Sequence, residues 1–256
     1  MTARGRAAGD TERPALVFLH GFAMDSRMWR RQVEAFAKDY RLVLVDLPGF
    51  GPQAREVGEV EVAREVNRAM DVAHVDSAHV IASAFGAAVA IDFALQHPER
   101  VTSLVLASPM LLGRKLAIES WQRCVGLAND GDRATAAEMW LEDPLFESLR
   151  HSEELFDEVR GIVLDYMGYH WTGKVQVQWG DPDPVNRLSS IKAPTLVVSG
   201  GRDLPTFASM AEAYVKGMPN ARREVIETAG HHVNLEASQA FNTAVKQHLA
   251  QNRARG

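Results

Sequence analysis

The sequence contains one cysteine among its 256 residues. A single cysteine excludes an intramolecular disulfide, and no Cys/His cluster has the spacing of zinc ligands, so no metal site is predicted. This cysteine usage fits a reducing compartment. Cys124 lies in a stretch with a helical pattern and no tight turn around it. We therefore interpret it as a buried thiol rather than as a nucleophile.

Long apolar runs and an excess of positive charge are also missing. No stretch approaches the ~18 apolar residues that span a bilayer, and the arginines of residues 1–13 are not followed by the apolar run of a signal peptide. We therefore expect a cytoplasmic protein without membrane association, and a flexible tail over residues 1–13. The formal net charge of −5 gives no basic surface and disfavours nucleic-acid binding.

Short apolar runs alternate with longer amphipathic segments along the chain. The runs are rich in Val, Leu and Ile and nearly continuous, as in strands that helices cover on both faces. They span 15–20, 41–46, 79–83, 101–108, 193–200 and 222–227. Helical patterns occupy 26–38, 60–74, 85–97, 206–217 and 237–250. The alternation predicts an α/β fold with a doubly wound, mostly parallel sheet flanked by helices.

One connection is much longer than the others. Residues 109–192 separate two predicted strands, whereas most such links have ~2–6 residues. The segment shows helical patterns over 115–129, 132–141 and 152–168, and it contains four of the five tryptophans. We predict a helical cap over the C-terminal edge of the sheet, where open α/β sheets bind ligands. The core then consists of 14–108 and 193–256.

The segment ASAFG (82–86) lies where a predicted strand runs directly into a predicted helix. A nucleophile elbow needs small residues two positions before and two after its apex, because strand and helix backbones nearly touch there. An apex at Ala84 meets this condition, whereas an apex at Ser83 would place isoleucine and phenylalanine at those positions. The apex is therefore Ala84, with Ser83 pointing elsewhere, unless the segment is an ordinary strand–helix turn.

Three further motifs follow predicted strands. Asp203 in GGRD (200–203) is either an acid that orients a histidine or a helix-capping residue. His231 in AGHHVNLE (229–236) is the predicted general base, with His232 as its competitor, unless both are loop histidines without a catalytic part. In His20-Gly21-Phe22 the glycine lets the backbone turn sharply, which gives either an oxyanion-hole amide or an ordinary loop. Along the chain the order is Ala84, then Asp203, then His231. This is the order of nucleophile, acid and histidine in α/β-hydrolases.

The chain resembles the α/β-hydrolase superfamily over essentially its full length, and within it the small capped carboxylesterases and enol-lactonases. The matching stretches are HGFAMDSRMW (20–29), DLPGFG (46–51), ASAFGAAVA (82–90), DYMGYHW (165–171), SGGRD (199–203) and AGHHVNLE (229–236). The resemblance implies that the backbone N–H groups of Phe22 and Phe85 form the oxyanion hole. It also implies Asp203 as the acid and His231 as the base.

Position 84 departs from the family pattern, which places serine there within G-x-S-x-G. A methyl group cannot attack a carbonyl, so the chain with Ala84 is expected to be inactive as a serine hydrolase. Two explanations are open: a Ser→Ala substitution that traps a substrate complex, or a natural protein that uses no serine. The retention of Asp203 and His231 favours the first, because a pocket without catalysis does not need such a pair.

The predicted activity is hydrolysis of carboxylic esters or lactones with an apolar portion, and no cofactor is implied. Four cap residues are candidates for the substrate pocket, although each could instead pack within the cap: Met110, Trp140, Tyr166 and Trp171. The sequence is compatible with a homodimer. The alternatives are a C–C bond hydrolase of the same fold, a serine-free catalyst that uses His231, and a non-catalytic binding protein.

Overall fold

The computed structural model describes residues 4–8, 13–116 and 118–252, and only the backbone of residues 4–8. The strands within these ranges are β1 (Arg4–Ala8), β2 (Ala15–Leu19), β3 (Arg41–Asp46), β4 (Gly58–Glu61), β5 (Ala78–Ser83), β6 (Val101–Ala107), β7 (Val175–Gln178), β8 (Thr195–Gly200) and β9 (Ala221–Ile226). Among them, seven form a central sheet in the order β1-β3-β2-β5-β6-β8-β9. β1 is antiparallel to β3, and the other neighbours are parallel. This confirms the predicted, mostly parallel sheet.

Helices connect these strands and cover the sheet. They are α1 (Arg30–Phe36), α2 (Val62–Val72), α3 (Phe85–Gln96), α4 (Trp121–Asn129), α5 (Arg133–Leu141), α6 (Glu153–Leu164), α7 (Pro205–Gly217), α8 (Val233–Glu236) and α9 (Ser238–Gln251). Every residue of β2, β5 and β8 is buried. Because alternate residues of a strand point to opposite faces, both faces of the sheet are covered. Because both faces are covered, the apolar runs of these strands are nearly continuous.

Helices α4, α5 and α6 belong to the long segment between β6 and β8, where α5 packs against the other two. Ion pairs join this cap to the core: Arg27 lies 2.7 Å from Asp165, and Arg31 lies 2.9 Å from Glu158. The parallel pair β4–β7 adds a third connection. No helix in the described ranges combines the length and the apolar character that crossing a membrane requires.

Two parts of the fold differ from the sequence-based expectation. The flexible tail expected over residues 1–13 is wrong for 4–8, which form β1 along the edge of β3. The segment RGRAA lacks the apolar run by which strands are predicted, and its backbone pairs with the edge of β3. The small sheet β4–β7 was missed because its four-residue strands are mostly exposed or half-buried. Residues 1–3 and 9–12 of the expected tail lie outside the described residues.

Candidate active site

Ala84 forms the turn between β5, which ends at Ser83, and α3, which begins at Phe85. Its φ of 47° and ψ of −110° lie in a region that a residue with a side chain rarely adopts, at a cost of roughly 1–3 kcal/mol. The Ala84 N–H donates to the Ala107 carbonyl at 3.0 Å, and its own carbonyl accepts the N–H of Met110 at 3.2 Å. A neighbouring strand and the loop beyond it therefore hold the strained turn in place.

Gly86 explains why the turn needs small residues. A Cβ atom at this position would lie 2.5 Å from the carbonyl oxygen of Leu19 and 2.6 Å from that of His20. The first turn of α3 therefore presses directly on the end of β2. This contact places the N-terminus of the helix, with its free N–H groups, beside the apex of the turn.

Asp203 and His231 meet beside this apex. Asp203 follows β8 and His231 follows β9, which are neighbours in the sheet. Nδ1 of His231 lies 3.0 Å from Oδ1 of Asp203, and the two side chains are 6% and 1% exposed. The two loops approach so closely that a Cβ atom at Gly200 would overlap the carbonyl oxygen of Gly230. The structure thus brings the predicted acid and base together.

The Asp203 carboxyl is held in its charged form. Burial alone would raise its pKa, but the charge and hydrogen bond of His231 and the N–H of Leu204 act in the opposite direction. The net effect is a pKa below the ordinary value of an aspartic acid. A carboxylate that stays charged can fix the orientation of the imidazole and stabilise its cation.

His232 has a different environment from His231. Its ring lies 4.8 Å from that of Phe146 in the cap and makes no hydrogen bond to Asp203. Its backbone N–H donates to Oε1 of Glu236, which fixes the loop. Burial lowers the pKa of His232 to about 3, so its imidazole is neutral near pH 7. The carboxylate therefore pairs with His231 and not with its neighbour.

The N–H groups of Phe22 and Phe85 have no acceptor within the described part of the protein. Both residues line the cavity that also contains Ala84, and their rings lie 6.0 Å apart. Two free amide donors beside the apex are what an oxyanion hole requires. The role of these amides stays a prediction.

The cavity over Ala84 has a volume of about 440 Å³ and is mainly apolar. Its lining comprises core and cap residues: Gly21, Phe22, Met24, Met28, Ser83, Ala84, Phe85, Met110, Leu116, Ile118, Trp121, Gln122, Trp140, Leu145, Phe146, Phe207, His231 and His232. Met110 and Trp140 line the cavity, and their role in substrate binding stays a prediction. The presence of Ser83 differs from the expectation that it points elsewhere.

Tyr166 and Trp171 do not line this cavity, which corrects the prediction for these two residues. Their rings lie 5.7 Å and 6.2 Å from that of Phe22 and 4.9 Å from each other. The Tyr166 hydroxyl is also hydrogen-bonded to His170 at 2.9 Å. They pack behind Phe22 and support the wall of the cavity instead of forming it.

Several lining residues were not predicted. Trp121, at the start of α4, and Phe207, in α7, contribute aromatic surface, and the Phe207 ring lies 4.2 Å from that of His231. Trp121 belongs to the tryptophan-rich cap, but its orientation depends on the packing of α4 against α5. Among the described residues, no group of three or more His, Cys, Asp or Glu side chains could hold a metal ion.

Residues 14–238 match the family model of the alpha/beta hydrolase fold. The chain belongs to this family. The match begins just before β2 and continues into the first residue of α9. It therefore includes the turn at Ala84, the paired Asp203 and His231, and the whole cap.

Curated relatives of this α/β hydrolase have varied names. It is 30% identical over 251 residues to the "Dihydrolipoyllysine-residue acetyltransferase component of acetoin cleaving system" of Cupriavidus necator, with 95% of this chain and 65% of that protein covered. The chain thus spans about two thirds of that relative. It is 29% identical over 259 residues to a "2-hydroxy-6-oxo-6-phenylhexa-2,4-dienoate hydrolase" of Burkholderia cepacia, covering 92% of this chain and 87% of the relative.

Solved structures share the fold of this α/β hydrolase. The enol-lactonase from Burkholderia xenovorans LB400 superimposes with a TM-score of 0.82. That comparison covers 97% of this chain and 96% of the other at 22% identity. The likeness at this identity establishes the common fold alone.

Proposed function

We propose that this chain is a serine-type hydrolase of carboxylic esters or lactones with an apolar portion, in a form that Ala84 makes inactive. One observation carries the proposal: the Asp203-paired imidazole of His231 and the apex residue Ala84 line the same apolar cavity. An ester carbonyl bound over Ala84 would also face the free amides of Phe22 and Phe85. In the proposed site these groups would bind the ester, and residue 84 has no hydroxyl oxygen to attack it.

The chemistry expected of a serine at position 84 is acyl transfer. His231 accepts the serine hydroxyl proton while the oxygen attacks the ester carbonyl, and the two amides stabilise the oxyanion. The imidazolium then gives its proton to the leaving alcohol, and a water molecule hydrolyses the acyl-enzyme. Loss of the nucleophile from such a triad lowers kcat by roughly 10⁶-fold. A chain with Ala84 should therefore bind substrate and release it unchanged.

The character of the cavity defines the substrate. The lining is dominated by Met, Leu, Ile, Phe and Trp side chains, and it contains no lysine or arginine among the described residues. Ligand sites of this kind bury the apolar part of a small molecule and orient it with a few polar groups. A phosphate or another strongly anionic group would find no cationic partner. Uncharged esters or lactones fit this environment best.

The test compares the protein that carries Ala84 with its Ala84→Ser variant on a panel of aryl esters, lactones and thioesters. We expect turnover only after serine is introduced, and loss of that turnover when His231→Ala is added. Ser83→Ala in the Ala84→Ser background is the matched control, because it removes the other hydroxyl of the turn and should retain activity. A folded Ala84→Ser protein that hydrolyses none of the panel would contradict the proposal.

Carbon–carbon bond hydrolysis is a second candidate. It is favoured by the 29% identity to a relative named as a 2-hydroxy-6-oxo-6-phenylhexa-2,4-dienoate hydrolase over 92% of this chain. A dienoate of this kind carries one carboxylate, and no lysine or arginine lines the cavity among the described residues to pair with it, so this activity ranks after ester hydrolysis. Turnover of an aryl 2-hydroxy-6-oxodienoate by the Ala84→Ser variant, together with inactivity on every ester, would favour this activity.

A further inference from the structure

Ser108 lies immediately after β6, which is the neighbour of β8 in the sheet. Its N–H donates to the carbonyl of Val198 in β8 at 2.8 Å, which fixes Ser108 at the same end of the sheet as Asp203. Its φ of 43° lies in the left-handed region, where a residue with a Cβ atom costs roughly 1–3 kcal/mol. Strained residues of this kind cluster at active sites and persist only where the surrounding structure holds them.

The Ser108 hydroxyl and one oxygen of Asp203 are both buried without a partner. Oδ1 of Asp203 lies 3.0 Å from Nδ1 of His231 and accepts the N–H of Leu204 at 2.7 Å. The other carboxylate oxygen, Oδ2, has no hydrogen-bond partner in the described part of the protein, and neither has Oγ of Ser108. Buried polar atoms in proteins are nearly always hydrogen-bonded, so two unpaired atoms beside the acid–base pair need an explanation.

The two unpaired atoms are chemically complementary. A serine hydroxyl can donate a proton to a hydrogen bond, whereas a carboxylate oxygen can only accept one. Burial raises the pKa of Asp203, and His231 and the nearby Ser108 hydroxyl both lower it. The hydroxyl is therefore close to the carboxyl, although the two side chains lack the strict geometry of a hydrogen bond. A rotation of the Ser108 side chain about its Cα–Cβ bond would satisfy both atoms at once.

We propose that Ser108 is a positioning residue whose hydroxyl donates to Oδ2 of Asp203 and keeps Oδ1 directed at Nδ1 of His231. The inference rests on the proposed function for its effect on catalysis, because it takes Asp203 and His231 as acid and base. With both oxygens engaged, the carboxylate cannot rotate away from the imidazole without breaking a hydrogen bond. β6 thereby supplies a third strand end to the acid–base pair, in addition to β8 and β9.

The protein that carries Ala84 tests this contact without turnover. Carbon-13 NMR of the Asp203 carboxyl would measure its pKa in the parent protein, in Ser108→Ala and in Ser108→Gly. Loss of a donor to a charged carboxylate favours the protonated form, so we expect the pKa of Asp203 to rise by about one pH unit in both variants.

The glycine variant separates positioning from stability. Glycine adopts a positive φ without steric cost, so Ser108→Gly should be at least as stable as the parent protein, which urea denaturation would measure. In the Ala84→Ser background both Ser108 variants should lower kcat for ester hydrolysis by about tenfold. KM should change little, because Ser108 is not among the residues that line the cavity.

Ser103→Ala is the matched control, because it removes another buried hydroxyl of β6 that lies 2.7 Å from Nδ1 of His79. It should leave both the pKa of Asp203 and kcat unchanged. If the Ser108 variants leave either quantity unchanged, the role of Ser108 is overturned while the proposed function stands. If the pKa of Asp203 responds to Ser108 but the Ala84→Ser protein hydrolyses no ester, the contact is confirmed and the proposed function fails.

Discussion

Nδ1 of His231 lies 3.0 Å from Oδ1 of Asp203 at the junction of the loops that follow β8 and β9. Both side chains are almost fully buried, so the protein and not solvent sets their geometry. The backbone contact of Gly200 with Gly230 holds the two loops together. Residue 84 takes no part in this contact. The acid–base pair is thus preorganised whether or not a nucleophile is present.

Asp203→Asn should remove catalysis while leaving the site assembled. An amide can hold the imidazole in the wrong tautomer, and it cannot stabilise the cation, so we expect kcat for ester hydrolysis to fall by about 10⁴-fold in the Ala84→Ser background. Steady-state kinetics would measure this change, with ligand affinity of the Ala84 form as the control. A decrease of less than tenfold would show that Asp203 does not serve the base.

Gly86→Ala should destabilise the protein. The added methyl would lie 2.5 Å from the Leu19 carbonyl oxygen, which belongs to the backbone and cannot move aside cheaply. Overpacking of this kind costs roughly 1–3 kcal/mol or more in the free energy of unfolding. Urea denaturation followed by circular dichroism would measure the loss.

A matched control for Gly86 is present in the cap. Gly126 lies within α4, and a Cβ atom there would meet nothing within 4 Å. Gly126→Ala should therefore stabilise the protein by about 0.5–1 kcal/mol, because alanine loses less backbone entropy in a helix. Equal effects of the two substitutions would show that the contact between α3 and β2 is not as tight as described.

The central strands and the elbow could be predicted because each depends on local chemistry, whereas the roles of Asp203 and His231 followed from their order along the chain and from the family resemblance. Burial on both faces makes a continuous apolar run, and the elbow needs small residues at fixed spacing, which Gly86 supplies. β1 could not be predicted in this way, since its pairing uses backbone groups of β3. The prediction that Tyr166 and Trp171 line the substrate pocket failed for another reason. An aromatic residue in a cap has the same sequence signal whether it faces the cavity or packs behind Phe22.

Buried histidines should make the protein sensitive to acid. Burial lowers the pKa of His79 to about 4, and burial together with the charge of Arg222 lowers that of His248 to about 4. Both are neutral in the folded protein and gain protons more easily when it unfolds. Above pH 6.5 both histidines are neutral in the folded and the unfolded protein, so the folded state keeps its full stability. As the pH falls from 6.5 toward 4, only the unfolded protein binds these protons, and the free energy of unfolding decreases. For His79 the loss is on the order of 3 kcal/mol.

His79→Asn isolates one part of this acid sensitivity. The substitution also changes the absolute stability, because Nδ1 of His79 is 2.7 Å from Oγ of Ser103. The informative quantity is instead the slope of the unfolding free energy against pH between 6.5 and 4. We expect a smaller slope in the variant, measured by urea denaturation at several pH values. An unchanged slope would assign the acid sensitivity to other groups.

Arg27 should contribute more to the stability of the protein than its partly exposed side chain suggests, because its guanidinium joins a buried carboxylate of the core to a carboxylate of the cap. It donates to Asp25, which is 2% exposed, and to Asp165 in the cap. Hydrogen bonding to Asp25, followed by that to Asp165, outweighs desolvation and raises the pKa of Arg27 above its usual range. Arg27→Met would leave Asp25 as a buried acceptor without its charged donor, at a cost of about 1–3 kcal/mol in the free energy of unfolding.

Lys174→Met provides the comparison for Arg27, because the Lys174–Glu56 pair also joins cap and core but lies in solvent. Exposed ion pairs of this kind contribute little to stability. Thermal denaturation at low and high salt would compare the two variants with the parent protein. We expect a clear decrease in melting temperature for Arg27→Met at both salt concentrations and no measurable decrease for Lys174→Met. Equal melting temperatures of Arg27→Met and the parent protein would contradict this prediction. They would mean that the backbone N–H of residue 27, which also donates to Asp25, is a sufficient partner for the buried carboxylate without the guanidinium.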